Sequence, residues 1–199
     1  MTIKSLFLLC FLTVLNITNI TSQEIHITPR PQKLIIKSGV FKINNETQIV
    51  FNDSSKKIVK DLQNYFSKEF NITTKLTEYQ NLKNNFLAFQ IDESFTDEAY
   101  DLTISDNNII ICANSKKGWF YGLQTLKQLC SFNAYYSKYE KYIEVKNLKI
   151  EDKPNFKWRA FMLDEARYFK GMEQVKMLLD EMAYLKMNVF HWHLVDDQG

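Results

Sequence analysis

A strand–helix–strand pattern near the end of the chain constrains its fold more than any other feature. Residues 158–164 and 187–195 are mostly apolar runs typical of buried strands, and apolar side chains recur at helical spacing from 172 to 183 between them. Two strands joined by a helix within about 35 residues predict a βαβ unit, which is a parallel pair with a right-handed crossover. Functional groups of such units gather at the carboxyl ends of the strands. We therefore look for a site directly after residues 163 and 195.

Charged residues follow both predicted strands. Arg167 comes three residues after the first strand, and its planar set of donors suits vicinal hydroxyls or a carboxylate. An ion pair with Asp164, Glu165 or Asp196 is an equally good interpretation from spacing alone. Asp196 and Asp197 follow the second strand, and as neighbours they point to opposite sides of an extended chain. One of them can enter a site while the other holds the loop, although purely structural carboxylates remain an alternative.

Two histidines lie within the second predicted strand. His191 and His193 are two residues apart and therefore share one face of the strand. A His-x-His pair on a strand can hold a catalytic metal, but two histidines are too few for a complete site. We favour histidines that support the site or are satisfied by hydrogen bonds, and we predict no metal.

The preceding part of the chain reads as an α+β module. Alternating apolar runs predict strands, apolar residues at helical spacing predict helices near 54–70 and 115–129, and Asp106 to Asn108 suits a hairpin turn. These elements predict a small sheet with helices packed on it. Pro154, flanked by charged residues, marks a boundary, so we divide the chain into 24–149 and 150–199. The predicted strands are 34–37, 47–51, 86–91, 100–105 and 109–113.

The first residues read as an export signal. Ser5 to Leu15 form an apolar run of 11 residues after Lys4, and this run is too short to span a bilayer. A basic start, a short apolar run and the small polar residues that follow are typical of a signal peptide, and we predict cleavage near Ser22 or Gln23. We expect residues 1–23 to be removed and the mature chain to be exported without a transmembrane segment. The remaining Cys112 and Cys130 are too few for a disulfide framework, and we expect two buried thiols.

Charge excludes some partners. The chain has 25 Lys and Arg against 23 Asp and Glu, a net charge of +2. This balance argues against nucleic acid or an anionic membrane as the main partner.

Three stretches late in the chain carry a family resemblance. Residues 152–159 read DKPNFKWR, residues 162–167 read MLDEAR, and residues 182–199 read MAYLKMNVFHWHLVDDQG. They resemble the start of the catalytic domain of the β-N-acetylhexosaminidases, the family 20 glycoside hydrolases. The preceding module, with PRPQ at 29–32 and GWFYGLQTL at 118–126, is similar to the family's N-terminal α+β domain.

The resemblance implies a fold and an activity. The fold is an α+β N-terminal domain followed by the first βαβ portion of a truncated (β/α)8 TIM barrel. The activity is hydrolysis of terminal N-acetylglucosamine or N-acetylgalactosamine from glycans or chitooligosaccharides, without a cofactor. The substrate's own acetamido oxygen attacks the anomeric carbon, while a Glu acts as acid and base and a neighbouring Asp orients the acetamido group.

Residue roles carry over by position. Arg167 is implied to bind sugar hydroxyls, and Asp196 to hydrogen-bond a histidine that supports the acid–base Glu. Asp197, His191 and His193 are implied to be supporting residues. Glu165 departs from the pattern, since smaller residues are commoner there in the family. The family's supporting histidine and its Asp-Glu pair come from later strands, and no residue of this chain fills those roles, so we expect this polypeptide alone to be inactive.

Two other functions stay open at this point. One is a metal-dependent barrel hydrolase that uses His191 and His193. The other is a non-catalytic carbohydrate-binding or interaction module. Oligomeric state and sugar preference are not predicted.

Overall fold

The computed structural model describes residues 25–78 and 82–197. The predicted export signal at residues 1–23 lies outside the described residues. Among those that are described, no helix is both long and apolar enough to cross a bilayer.

The first eight strands form one mixed sheet. The strands are β1 (Lys33–Ile43), β2 (Gln48–Phe51), β3 (Lys75–Glu78), β4 (Phe86–Ile91), β5 (Tyr100–Ile104), β6 (Asn108–Ala113), β7 (Tyr135–Ser137) and β8 (Tyr142–Asp152). Their order in the sheet is β1-β8-β5-β6-β4-β2-β3, and β7 pairs with β8 beside this path. Pairing is parallel among β6, β4, β2 and β3 and antiparallel for the others.

Two helices cover the sheet. They are α1 (Lys56–Phe70) and α2 (Lys116–Gln128), and one π-helical turn (Leu129–Asn133) extends α2. Ser115 begins α2 by accepting hydrogen bonds through its Oγ from the backbone N–H groups of Lys117 and Gly118, at 3.2 and 3.3 Å. The core between helices and sheet includes Phe66, Trp119 and Leu102, all fully buried.

Helix α2 lies very close to the sheet. A Cβ added at Gly118 would meet the backbone oxygen of Ala99 at 2.4 Å and the Cβ of Ala113 at 2.6 Å. Gly122 is equally restricted, since its added Cβ would lie 2.5 Å from Ile111 Cγ2. The two glycines in the GWFYG segment therefore allow the close approach of helix to sheet.

The βαβ unit follows, as the pattern predicted. It consists of β9 (Ala160–Asp164), α3 (Met172–Tyr184) and β10 (Val189–His193), with β9 and β10 paired in parallel. Only Val175 and Met182 of α3 are buried, whereas Leu179 is 42% exposed. The apolar face of α3 is therefore only partly covered by the described residues.

Most of the predicted elements are confirmed, with some differences. Helices α1 and α2 and the hairpin of β5 and β6 form where the periodicity placed them. Strands β3, β7 and β8 were not predicted. Strand β8 continues to Asp152, so the division between residues 149 and 150 falls inside it. Cys130 is a buried free thiol, as expected, but Cys112 is only partly buried.

Candidate functional site

The carboxyl ends of β9 and β10 meet, as the βαβ pattern predicted. Asp164 and His193 are paired in the parallel register. The backbone N–H of Glu165 then donates to the carbonyl oxygen of His193 at 2.9 Å. This bond continues the pairing one residue past β9 and keeps the two following loops side by side.

Asp196 is the centre of a small charged cluster at these strand ends. Its Oδ2 lies 3.3 Å from Nε of Arg167, and its Oδ1 lies 3.1 Å from Nε2 of His193. Of the three carboxylates considered as ion-pair partners of Arg167, the structure selects Asp196. The Arg167 side chain nevertheless remains 91% exposed, so its terminal nitrogens face solvent and can donate to a ligand.

The two other predicted site residues, His191 and Asp197, lie at the edge of this cluster. The ring of His191 lies 6.4 Å from that of His193 between centroids, on the shared strand face that their spacing predicted. His191 and Asp197 are both exposed. Within residues 25–78 and 82–197, no group of three or more His, Cys, Asp or Glu residues is arranged to hold a metal ion.

Glu165 has a role in the loop that the sequence did not indicate. Its side chain is buried, with 4% exposure. One carboxylate oxygen accepts the indole N–H of Trp192 on β10, and the other accepts the backbone N–H of Lys170 at 2.6 Å. Glu165 therefore closes the loop that presents Arg167. No local pattern signals this role, because Trp192 is distant in the sequence.

A second polar cluster lies at the opposite end of β9 and β10. The Nζ of Lys186 donates to Asp152 Oδ2 at 2.9 Å and to the hydroxyl oxygen of Tyr100 at 2.8 Å. Nη1 of Arg159 lies 3.0 Å from Oε2 of Glu98. We call these five residues the junction cluster, because they join the βαβ unit to the first eight strands. They line a cavity of about 220 Å³.

Burial changes the pKa values of Lys186 and Tyr100. Desolvation lowers the pKa of Lys186, although the nearby Asp152 carboxylate partly opposes this change. Desolvation, reinforced by the negative charge of Asp152, raises the pKa of Tyr100 well above its usual value. Tyr100 therefore stays protonated and donates to Asp152 Oδ2 at 2.8 Å.

Fold and site together define a class: an α+β domain joined to a parallel βαβ unit that displays charged residues at its strand ends. Two models of known families match the chain, over different residues. Residues 24–153 match the model of glycosyl hydrolase family 20, domain 2. Residues 156–199 match that of the glycosyl hydrolase family 20 catalytic domain. The chain belongs to glycosyl hydrolase family 20.

Individual relatives support this assignment. The chain is 32% identical over 179 residues to a β-hexosaminidase of Porphyromonas gingivalis, covering 88% of this chain and 23% of the relative. It is 32% identical over 171 residues to β-hexosaminidase subunit B1 of Dictyostelium discoideum, covering 83% and 29%. The chain thus spans less than a third of the length of these relatives.

A solved structure gives the same picture. The GH20 exo-β-N-acetylglucosaminidase of Vibrio harveyi, in complex with N-acetylglucosamine, superimposes with a TM-score of 0.75 at 28% identity. The match covers 90% of this chain and 27% of that one.

Proposed function

We propose that the protein carrying this sequence is a β-N-acetylhexosaminidase that removes terminal N-acetylglucosamine or N-acetylgalactosamine. The observation that carries this proposal is the Arg167–Asp196–His193 cluster at the strand ends of a family 20 catalytic segment. The activity is proposed for the whole protein, because this chain corresponds to 23% of the P. gingivalis relative.

Arg167 is proposed to bind sugar hydroxyls. Asp196 holds Nε of the guanidinium at 3.3 Å, which leaves the two terminal amino groups to donate to neighbouring hydroxyls. The same carboxylate fixes the ring of His193. His191 and Asp197 border the cluster and are proposed to support it.

The proposed chemistry is substrate-assisted retaining hydrolysis. The acetamido oxygen of the sugar attacks the anomeric carbon, and because this nucleophile is tethered its effective concentration is high. By resemblance, the acid–base Glu and its partner Asp belong to later strands of the family's barrel. The barrel itself is part of the proposal, and β9, α3 and β10 are its first βαβ portion.

The test is an assay with an aryl N-acetylglucosaminide. We expect the whole protein to cleave it and the 199-residue chain alone to give no turnover. Arg167→Ala in the whole protein should lower kcat/KM by about 30- to 1000-fold, which corresponds to the loss of roughly 2–4 kcal/mol of charged hydrogen bonding. Arg30→Ala, at an exposed arginine, is the control. An unchanged kcat/KM for Arg167→Ala would refute the role of this residue.

The domain division and the export signal are also proposals. We propose an N-terminal domain and a catalytic segment that meet near residue 150. The end of β8 at Asp152 and the family ranges 24–153 and 156–199 support a junction a few residues later. The apolar run at residues 5–15 supports export.

A further inference from the structure

Lys186 occupies a backbone position that normally belongs to glycine. It follows α3 with a left-handed φ of 60°. Its N–H bonds to the carbonyl of Ala183 at 3.0 Å, and the N–H of Met187 bonds to that of Met182 at 2.8 Å. These two bonds form a Schellman motif with Lys186 at the left-handed position, where a side chain is conformationally unfavourable.

The side chain of Lys186 is also in an unfavourable environment. It is only 8% exposed, and its partner Asp152 is 11% exposed. Taking both charges out of water carries a desolvation penalty that the ion pair offsets only with good geometry and further hydrogen bonds. Tyr100 supplies those bonds, and its hydroxyl is also hydrogen-bonded to Thr125 on α2 at 2.6 Å. Stability alone therefore does not explain a lysine at this position.

The placement of Lys186 suggests what it does. Asp152 ends β8 and Tyr100 begins β5, so Lys186 attaches the start of β10 to two strands of the large sheet. Arg159 attaches the start of β9 to helix α2, since its Nη2 donates to the hydroxyl oxygen of Tyr121 at 2.9 Å. Arg159 also donates through Nε to the carbonyl oxygen of Lys186 at 2.7 Å. The starts of both parallel strands are thus fixed to the first domain and to each other.

We propose that Lys186 is a positioning residue, which sets the place of β10 and through it the arrangement of Trp192, His193 and Asp196. Strand β10 runs from Val189 to His193 and is extended, so its two ends lie about 13–17 Å apart. The position of its first residues therefore determines where His193 and the residues after it lie. The catalytic relevance of this placement rests on the proposed function of Asp196. The control of the end of β10 by Lys186 is independent of that proposed function.

Two of the three tryptophans of the chain allow a direct test. The indole N–H of Trp119 donates to the backbone carbonyl oxygen of Gln90 in the first domain at 2.7 Å. The indole N–H of Trp192, near the end of β10, donates to the carboxylate of Glu165, which follows β9. In a ¹⁵N–¹H spectrum of the labelled 199-residue chain, Lys186→Met should shift the Trp192 indole resonance and leave that of Trp119 unchanged. Backbone amides of β10 should exchange at least about tenfold faster than in the parent, with β4–β6 unaffected.

Further variants separate positioning from general stabilisation. Lys186→Gly suits the left-handed backbone but lacks the charge, and it should show the same Trp192 shift as Lys186→Met. Lys176→Met, which removes an exposed pair with Glu173 on α3, should change neither signal. If Lys186→Met does not fold, Asp152→Asn is judged by the same criteria.

The overturning result is equally definite. A folded Lys186→Met or Lys186→Gly chain with an unmoved Trp192 resonance and unchanged β10 exchange would reduce the role of Lys186 to stability. Because no sugar turnover is measured, this failure would leave the proposed hexosaminidase function standing, and loss of that function would not affect this test.

Discussion

The loop that carries Arg167 should depend on the Glu165 carboxylate. Glu165→Ala removes the acceptor for the indole N–H of Trp192 and for the backbone N–H of Lys170. Hydrogen bonds to a charged group contribute about 1.5–3 kcal/mol each. Trp192 is 41% exposed, so water replaces part of this loss, and deletion also removes the cost of burying a carboxylate. We expect the loop to open more easily by about 2 kcal/mol, or about 30-fold.

Limited proteolysis measures this opening at the loop itself. Trypsin cleaves after Arg167 and Lys170, and at low protease concentration the cleavage rate follows the population of the open form. Glu165→Ala should therefore be cut at these two sites about 10- to 30-fold faster than the parent chain. Glu165→Gln keeps one acceptor oxygen and should lie between them.

A neighbouring carboxylate provides the matched control. Glu173 forms an exposed pair with Lys176 at 3.1 Å, and such pairs contribute about 0–1 kcal/mol. Glu173→Ala should thus change cleavage after Arg167 by only a few-fold. Equal cleavage of Glu165→Ala and Glu173→Ala would refute the argument that Glu165 closes the loop.

Two predictions concern the first domain. Phe66→Ala should lower the free energy of unfolding, measured by urea denaturation, by about 3–5 kcal/mol, because Phe66 is fully buried. As the control, Tyr139→Ala at a 98% exposed site should change it by less than about 0.5 kcal/mol. Equal losses for the two variants would contradict the placement of Phe66 in the core. Burial raises the pKa of Tyr65 in the folded protein. In the unfolded chain this tyrosine releases its proton near pH 10, whereas in the folded chain it stays protonated. The free energy of unfolding of the parent should therefore fall as the pH rises through and above 10. At pH 8, Tyr65→Phe should lower the free energy of unfolding by about 1 kcal/mol, because the hydrogen bonds to Lys127 and Ser131 are lost. Between pH 8 and 11, however, the urea midpoint of the variant should fall less steeply than that of the parent. Parallel declines would show that Tyr65 does not cause this pH dependence.

The elements predicted correctly are those whose burial follows one simple period. Helix α1 buries Val59, Leu62, Phe66 and Phe70 at helical spacing. Strand β8 was missed because its alternation is broken: Asn147 and Leu148 are adjacent and both buried. The break lies near an irregularity in its partner β1, where the register shifts between Ile36 and Val40. A shifted register moves side chains to the other face, so a period of two is lost over such a strand.

The candidate site divides in the same way between local and distant information. The meeting of Arg167 and Asp196 was foreseeable, because a parallel βαβ unit brings the two strand ends together. The sequence did not show which carboxylate pairs with Arg167, since the pattern places Asp164, Glu165 and Asp196 all near it. The burial of Glu165 and Lys186 depends on partners far along the chain: Tyr100 is 86 residues from Lys186. Neither residue type predicts burial, because Glu and Lys are mostly exposed.

The junction cluster fixes the starts of β9 and β10 to the first domain. Parallel strands are ordinarily covered on both faces, yet Met162 on β9 is 56% exposed and Trp192 on β10 is 41% exposed. The described residues therefore bury only a modest part of the apolar surface of the βαβ unit. The specific bonds of Arg159 and Lys186 instead fix the position of the strand starts, where both side chains reach into the first domain. At the opposite end, the side chain of Arg167 is 91% exposed and that of Asp196 is 47% exposed, so this end is open to a ligand.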